Sequence, residues 1–192
     1  DTPEPTVPGQ PYTVSVTVSS QSGTPAGTVN VNDGAGAGSG NCQINLENGS
    51  GSCQLTSNFA GGRLLTACMQ ANASFAGSCD NEEHQTIKAN TDLSFSSFAP
   101  NPANEGQATQ VTVGLSVAAP GAGTPTGVMT VSASATEQCT ITLPASSCAL
   151  TLTSPGNRQI TVNYPGDANF NGGTRQTTLT VQPDQLLRNG FE

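Results

Sequence analysis

The residues best suited to chemistry lie together in the segment CDNEEH at 79–84. It contains the single histidine of the chain, His84, and two adjacent carboxylates, Glu82 and Glu83. Nucleophilic catalysis needs a base held beside a nucleophile, and glycoside hydrolysis needs two carboxylates that face each other across a cleft. We expect His84 to be solvated in a polar surface loop, and neighbouring residues of an extended segment point in opposite directions. The sequence therefore predicts a protein that is not an enzyme.

The same segment offers oxygen ligands for a cation. Asp80 and Glu82 carry the hard oxygen donors that calcium prefers, and Asp92 lies near a predicted module boundary. Their spacing differs from that of an EF-hand loop. These three residues are the candidates for a calcium site, but the leading expectation is that the protein has no metal ion and no cofactor.

Six cysteines indicate the compartment. None of them forms a CxxC pair, and one histidine adds too few ligands for a zinc site. We expect each cysteine to pair with its neighbour in the sequence, which closes three short loops. The pairs are Cys42–Cys53, Cys68–Cys79 and Cys139–Cys148. Three disulfides are typical of proteins outside the reducing cytosol, and because the sequence starts at Asp1 and not at methionine, we expect a processed, secreted protein at the cell surface.

The charge of the chain excludes two classes of partner. The formal net charge is −8 and the pI is about 4.3, so the chain lacks the basic patch that nucleic acids or anionic membranes require. No apolar run is long enough for a membrane span, so membrane insertion is not predicted. Charged residues make up only 9% of the chain, which permits close lateral packing against other chains.

Self-comparison of the sequence reveals two copies of one module. The segment PEPTVPGQ at 3–10 matches PNPANEGQ at 100–107, and RLLTACMQANASFAG at 63–77 matches RQITVNYPGDANFNG at 158–172. The offset between the copies changes slightly along the chain, which small insertions explain. The boundary between the copies falls near Asn90.

The hydrophobic period within each copy is two residues. Tyr12, Val14 and Val16 alternate with polar residues in the first copy, as Val111 and Val113 do in the second. Such alternation places one face of a strand on a core and the other in water, and clusters of Gly, Pro and Asn separate the runs. No stretch carries a helical stripe, so we predict an all-β sandwich.

A late segment of the second copy, TVNYPGDANFNGG at 161–173, contains Tyr164, Gly166 and Asp167 in the order typical of a known family. Together with a Gly-Thr-Pro-x-Gly motif in both copies, this segment resembles the bacterial immunoglobulin-like repeat of large surface and secreted proteins. The first copy departs from the pattern and has Asn72 at the place of the aspartate. The resemblance implies two tandem immunoglobulin-like β-sandwiches that act as spacers, adhesive stalks or binding units.

The predicted organisation is module one at 1–90, module two at 91–183 and a C-terminal tail at 184–192. In modules of this family a first strand precedes the Pro-x-Pro turn. Module two has such a strand in TDLSFSSFAP at 91–100, whereas only two residues, beginning with Asp1, precede the turn in module one. A sandwich without this strand exposes an edge that can accept a strand from elsewhere.

The tail offers a strand of the required kind. It carries Leu186, Leu187 and Phe191, which module two does not need. We hypothesise that the tail of one molecule completes the first module of the next and contacts Tyr12 and Val14. Such a head-to-tail contact repeats into a fibre. The alternative left open is that the chain start is a proteolytic or expression boundary and that the tail packs on its own module.

These observations predict a secreted structural protein, a subunit or segment of an extracellular surface fibre or adhesive stalk. Its expected partner is a further copy of itself. The alternative is an adhesin module excised from a larger surface protein, which binds a surface glycan or a host protein. Sugar sites usually stack aromatic rings, and the chain has six Phe, two Tyr and no Trp, which favours the structural role.

Overall fold

The computed structural model describes residues 1–34 and 39–184. Within them the chain forms fourteen strands and no helix, which confirms the predicted all-β class. No helix in this described part of the chain has the length and apolar character that a membrane crossing would require. The chain divides into two compact units: unit 1 comprises Asp1–Ala89 with Ala119–Gly123, and unit 2 comprises Asn90–Ala118 and the chain from Thr124 onward.

Unit 1 contains six strands in two sheets. The strands are β1 (Pro11–Thr17), β2 (Thr28–Asn32), β3 (Asn41–Asn45), β4 (Ser50–Thr56), β5 (Gly61–Met69) and β6 (Ser78–Thr86). One sheet consists of β1 and β4, and the other has the order β3-β2-β5-β6. The inward-facing side chains of both sheets form one core, which includes Val14 and Leu55 from the first sheet and Val29, Ile44 and Leu65 from the second. Alternation along each strand thus produces the two apolar faces that a sandwich buries.

Unit 2 has the same arrangement with two further strands. The strands are β7 (Thr91–Ala99), β8 (Ala103–Asn104), β9 (Ala108–Val117), β10 (Val128–Ser132), β11 (Gln138–Thr142), β12 (Ser147–Thr151), β13 (Gly156–Gly166) and β14 (Asn171–Gln182). The sheet orders are β12-β9-β7 and β11-β10-β13-β14-β8. The strand β7 adds an edge to one sheet, and the short β8 pairs in parallel with β14 in the other.

Strand register shows which residues of the two units correspond. Gly61 lies opposite Thr86 on β6, and Gly156 lies opposite Val181 on β14. Both glycines have φ in the region that favours glycine, at 136° and 106°, so the two hairpins begin with the same backbone requirement. Counting back from these pairs, His84 of unit 1 corresponds to Leu179 of unit 2.

The turn that differs in sequence between the copies has the same hydrogen bonds in both. Asp167 Oδ1 accepts bonds from the backbone N–H groups two and three residues further on, at 2.8 and 2.9 Å. Asn72 Oδ1 accepts the corresponding pair, both at 2.9 Å. Asn and Asp both offer this oxygen, so the first copy keeps the turn although it departs from the family pattern.

Three disulfides stabilise the units. They are Cys42–Cys53, Cys68–Cys79 and Cys139–Cys148, each between neighbours in the sequence. The first and third connect strands of opposite sheets, β3 to β4 and β11 to β12, whereas the second connects β5 and β6 within one sheet. Each closes a short loop, for which the chain-entropy model gives about 2.5–3 kcal/mol of stabilisation.

Candidate functional site

A groove opens between β1 and β6 of unit 1, with a volume of about 350 Å³. Val16 of β1, Val18 just after it and Ala67 of β5 line its apolar floor, and Asp80 and Glu82 of β6 line its rim. The two valines are only half-buried. The groove therefore presents an apolar strip beside two carboxylates.

The backbone edge of β1 faces this groove. Thr2 and Thr13 exchange two backbone hydrogen bonds at this edge, with N···O distances of 3.0 and 2.8 Å. Backbone groups of alternate residues in an antiparallel strand point the same way, so those of Ser15 and Thr17 also point to the groove. Among the residues that the structure describes, pairing along this edge is limited to the bridge between Thr2 and Thr13. An edge of this kind is a template for another strand.

Unit 2 fills the corresponding space with β7. This strand pairs with β9 over Thr91–Ala99, with a bulge just after Phe95. Val113 of β9 lies opposite Phe95 and is 2% exposed, whereas its counterpart in unit 1, Val16, is half-buried. The groove in unit 1 therefore occupies the position that one strand, β7, fills in unit 2.

The structure treats the predicted interface residues differently. Both Tyr12 and Val14 belong to the core of unit 1, at 1% and 4% exposed, and of the two only Val14 also lines the groove. Leu186, Leu187 and Phe191 lie outside the described residues. Donation of the tail to the groove therefore stays a hypothesis.

His84 lies in the interior of unit 1, so the prediction of a solvated histidine in a loop is wrong. The whole segment belongs to β6, whose alternation buries His84 and Thr86 and exposes Glu83 and Gln85. The imidazole side chain is 0% exposed. The segment shows no alternation of apolar and polar residues, so nothing local in the sequence indicated that His84 would be buried.

Two carboxylates converge on the ring of His84. Its Nδ1 contacts Asp1 Oδ2 and lies 3.1 Å from Glu4 Oε2. The Asp1 side chain is 2% exposed, and that of Glu4 is 37% exposed. On the other side of the ring, Nε2 lies 2.7 Å from Thr6 Oγ1, which is 3.3 Å from Thr86 Oγ1. We call Asp1, Glu4 and His84 the His84 cluster; it fastens the start of the chain to β6.

A buried tyrosine extends this polar region across unit 1. The ring of Tyr12 stacks on His84, with 3.9 Å between centroids and 11° between planes. Its hydroxyl shares a hydrogen bond of 3.1 Å with Ser57 Oγ, and Ser57 donates to Asp33. Burial raises the pKa of Tyr12 above its ordinary value. Each buried polar group in this region has a partner, as a stable interior requires.

Of the calcium candidates, Glu82 borders the His84 cluster, since its Oε2 lies 3.5 Å from the α-ammonium group of Asp1. Asp80 and Glu82 are exposed on the groove side of β6, and Asp92 is on β7 of unit 2. Within residues 1–34 and 39–184, the metal-ligating side chains that come close enough to share an ion are those of the His84 cluster, whose ligand atoms lie within 4.8 Å of one another. The sequence did not indicate this group, because His84 is separated from Asp1 and Glu4 by 83 and 80 residues.

The chain is therefore an all-β protein with two immunoglobulin-like β-sandwich units. It is similar to solved fibronectin(III)-like modules of Clostridium thermocellum CbhA, with 15% identity, a TM-score of 0.41 and coverage of 97% of this chain and 94% of that one. No protein-family model matches the sequence. No curated protein matches it either.

Two further solved structures are similar to parts of larger proteins. Escherichia coli alpha-2-macroglobulin activated by porcine elastase matches with 16% identity and a TM-score of 0.39, over 95% of this chain and 22% of that one. The Yersinia pseudotuberculosis adhesin InvE matches with 15% identity and a TM-score of 0.33, over 93% of this chain and 50% of that one. The chain thus spans about a fifth of the first and half of the second.

Proposed function

We propose that this protein is a structural segment of an extracellular surface fibre or stalk, in which unit 1 accepts a β-strand from a second copy. The observation that supports this proposal is the groove between β1 and β6, beside an open strand edge, at the place that β7 occupies in unit 2. The three disulfides fit an oxidising location outside the cytosol. They would also limit unfolding of each unit under force.

An added strand gains both hydrogen bonds and apolar burial in this groove. It would pair with the backbone groups of Ser15 and Thr17, and each such bond contributes about 0.5–1.5 kcal/mol net. It would also cover Val16 and Val18, for which full burial of one side chain contributes about 1.5–3 kcal/mol. Because both valines are already half-buried, the gain is smaller than the full value.

The proposed donor is the tail at 184–192 of a second copy. Its apolar residues suit the floor of the groove. Its arginine, Arg188, suits the carboxylates of Asp80 and Glu82 on the rim. Because tail and groove are different surfaces, the contact is heterologous, and its repetition gives an open filament instead of a closed dimer.

The test is a proline at the open edge of β1. Ser15→Pro removes a backbone N–H that points to the groove, and proline is tolerated on an edge strand where that group has no partner within the sheet. Ser15→Thr keeps the N–H and is the matched control. Electron microscopy and light scattering on native secreted protein should show filaments for the wild type and Ser15→Thr. For Ser15→Pro they should show monomers of about 19.3 kDa.

Removal of 185–192 is the complementary change and should also give monomers. A peptide of that segment should then form a one-to-one complex with the truncated chain. It should not bind a truncated chain that also carries Ser15→Pro. Filaments that persist in both variants would rule out strand donation through this groove, as would a wild-type protein that stays monomeric at all concentrations.

A further inference from the structure

Both carboxylates of the His84 cluster converge on one nitrogen. Nδ1 of His84 contacts Asp1 Oδ2 and lies 3.1 Å from Glu4 Oε2, and the three ligand atoms lie within 4.8 Å of one another. A single N–H points well at one acceptor only, because hydrogen bonds weaken steeply away from linearity. A cation among the three atoms would serve both carboxylates and the nitrogen lone pair together.

The other side of the imidazole ring is arranged as in metal sites. A metal-binding histidine usually gives its second N–H to an outer partner that fixes the tautomer and the ring. Here Nε2 lies 2.7 Å from Thr6 Oγ1, which lies 3.3 Å from Thr86 Oγ1. Tyr12 stacks on the ring at 3.9 Å and fixes its plane. In the tautomer that donates its Nε2 proton to Thr6, the lone pair of Nδ1 would face the carboxylates.

The nearest arginine on β5 is engaged elsewhere. Arg63 is the cross-strand neighbour of His84, but its guanidinium carbon lies over the ring of Phe59, 5.9 Å from the centroid. In the described part of the chain, the ion pairs recorded for the carboxylates of Asp1 and Glu4 are those with His84. The α-ammonium group of Asp1 pairs with Glu82 Oε2 at 3.5 Å. The carboxylates of Asp1, Glu4 and Glu82 still outnumber this ammonium group and the imidazole, and a divalent cation would neutralise the surplus of negative charge.

We propose that Asp1, Glu4 and His84 form a binding site for a divalent transition-metal ion of the Zn²⁺ type. One imidazole nitrogen and two carboxylate oxygens are ligands that Zn²⁺ accepts at about 2.0–2.2 Å. Calcium is a poorer match, because it prefers an all-oxygen shell of six to eight ligands. The partly exposed side of Glu4 leaves room for water as a fourth ligand.

The ion would tie together the two sheets of unit 1. The first residues of the chain cross from one sheet to the other, since Thr2 bridges to Thr13 on β1 and Thr6 bridges in parallel to Thr86 on β6. The His84 cluster lies on this crossing. A bound ion would therefore stabilise the N-terminal segment on β6, beside the end of the groove. This site does not depend on the proposed strand donation.

The test is zinc binding by the untagged full chain after removal of metals with a chelator. Isothermal titration with ZnCl₂ should give one ion per chain, and thermal unfolding should shift upward with zinc concentration, because a ligand that binds only the folded state stabilises it. Glu4→Gln should weaken binding by at least about tenfold, since loss of even an outer-shell partner costs about 10–100-fold. Asp80→Asn, which changes a rim carboxylate outside the cluster, should bind as the wild type does.

Two variants, Glu4→Gln and His84→Leu, test whether loss of zinc binding reflects a lost ligand or an unfolded protein. Glu4 is partly exposed, so Glu4→Gln should fold normally, and His84→Leu should abolish binding wherever its circular dichroism shows a folded protein. Absence of binding to wild-type apoprotein for Zn²⁺, Ni²⁺ and Mn²⁺ would overturn the proposal. Binding that survives in both variants would also overturn it, because the ion would then occupy another site.

Discussion

The same position on the last strand is polar in unit 1 and apolar in unit 2. His84 on β6 is 0% exposed, and its counterpart Leu179 on β14 is 2% exposed. The segment leading into the crossing between sheets shows the same exchange, since Asp1 corresponds in register to Phe98. One unit therefore uses a satisfied polar cluster where the other has apolar side chains, on the same backbone.

The neighbouring cross-strand pair shows that the same backbone pairing accommodates either polar or apolar side chains. Thr6 bridges in parallel to Thr86 in unit 1, and Ala103 pairs in parallel with Val181 at the corresponding place in unit 2. Each solution is internally consistent, because buried polar groups are tolerated when all are paired. Mixing the two solutions leaves a polar group without a partner, which costs far more than either solution.

The largest expected change in the free energy of unfolding comes from placing an apolar residue of the unit 2 type in the polar cluster of unit 1. His84→Leu leaves the carboxylate of Asp1 buried without its partner, and breaking a buried pair in this way costs about 3–5 kcal/mol. The double variant Asp1→Phe/His84→Leu installs the residue types of unit 2 and should recover most of that loss. Equilibrium urea unfolding by circular dichroism, in the presence of a chelator, measures the free energies of the wild type, Asp1→Phe, His84→Leu and the double variant.

The coupling free energy between the two substitutions tests whether Asp1 and His84 depend on each other. A double-mutant cycle isolates the coupling between contacting residues. Here the combined loss should be smaller than that of His84→Leu alone. Simple additivity of the two single changes would mean that Asp1 and His84 do not depend on each other in solution.

A second, smaller difference concerns the charged anchor of unit 2. Glu137 is 7% exposed and accepts hydrogen bonds from Arg158 and from the backbone and hydroxyl of Thr153. The bond from Arg158 is the main cause that lowers the pKa of Glu137 from 4.5 to about 2. In unit 1 the corresponding position is Gly40, whose N–H donates to the buried carboxylate of Asp33.

The pH dependence of Glu137→Gln follows from this lowered pKa. A carboxyl with a folded pKa below its unfolded value contributes stability above the unfolded value, and that contribution is lost as pH falls toward the folded one. The substitution should therefore cost about 2 kcal/mol at pH 7 and much less near pH 2. Urea midpoints of wild type and variant at both pH values test this, and a constant difference would show that the charge of Glu137 is not the source.

The strands were readable from sequence wherever core residues alternate with polar ones. Alternation is a local property of the sequence, so it predicts β1 from Val14 and Val16 and β9 from Val111 and Val113. Comparison with the segment that becomes β7 also predicted the open edge of β1, which in the described part of the chain pairs with β4 on one side and only with Thr2 on the other. These features depend only on neighbours in the sequence or on the internal repeat.

The polar interior of unit 1 could not be predicted from the sequence. His84 lies in a run of acidic and amide residues, and nothing local distinguishes a buried polar strand from a solvated loop. Its partners, Asp1 and Glu4, come from the other end of the unit and meet it only after the sheets have formed. A buried cluster of this kind depends on tertiary contacts, which override local composition.

The smallest expected effect compares one valine in each unit. Val113→Ala removes two methyl groups opposite Phe95 under β7, and loss of buried methyl groups together with the cavity that remains should cost about 2 kcal/mol. The corresponding Val16→Ala changes a half-buried side chain in the open groove and should cost less than about 1 kcal/mol in the monomer. Urea unfolding of each variant as a monomer gives both values.

Filling the groove should reduce this difference. A strand bound beside β1 covers Val16 as β7 covers Val113, so the cost of Val16→Ala should rise when unfolding is measured with the 185–192 peptide at saturation. Equal costs in the free monomer would mean that Val16 is already covered in solution, and that the groove is closed by some other part of the protein. A difference that persists at saturation would mean that the peptide binds elsewhere, because a strand in the groove cannot leave Val16 half-exposed.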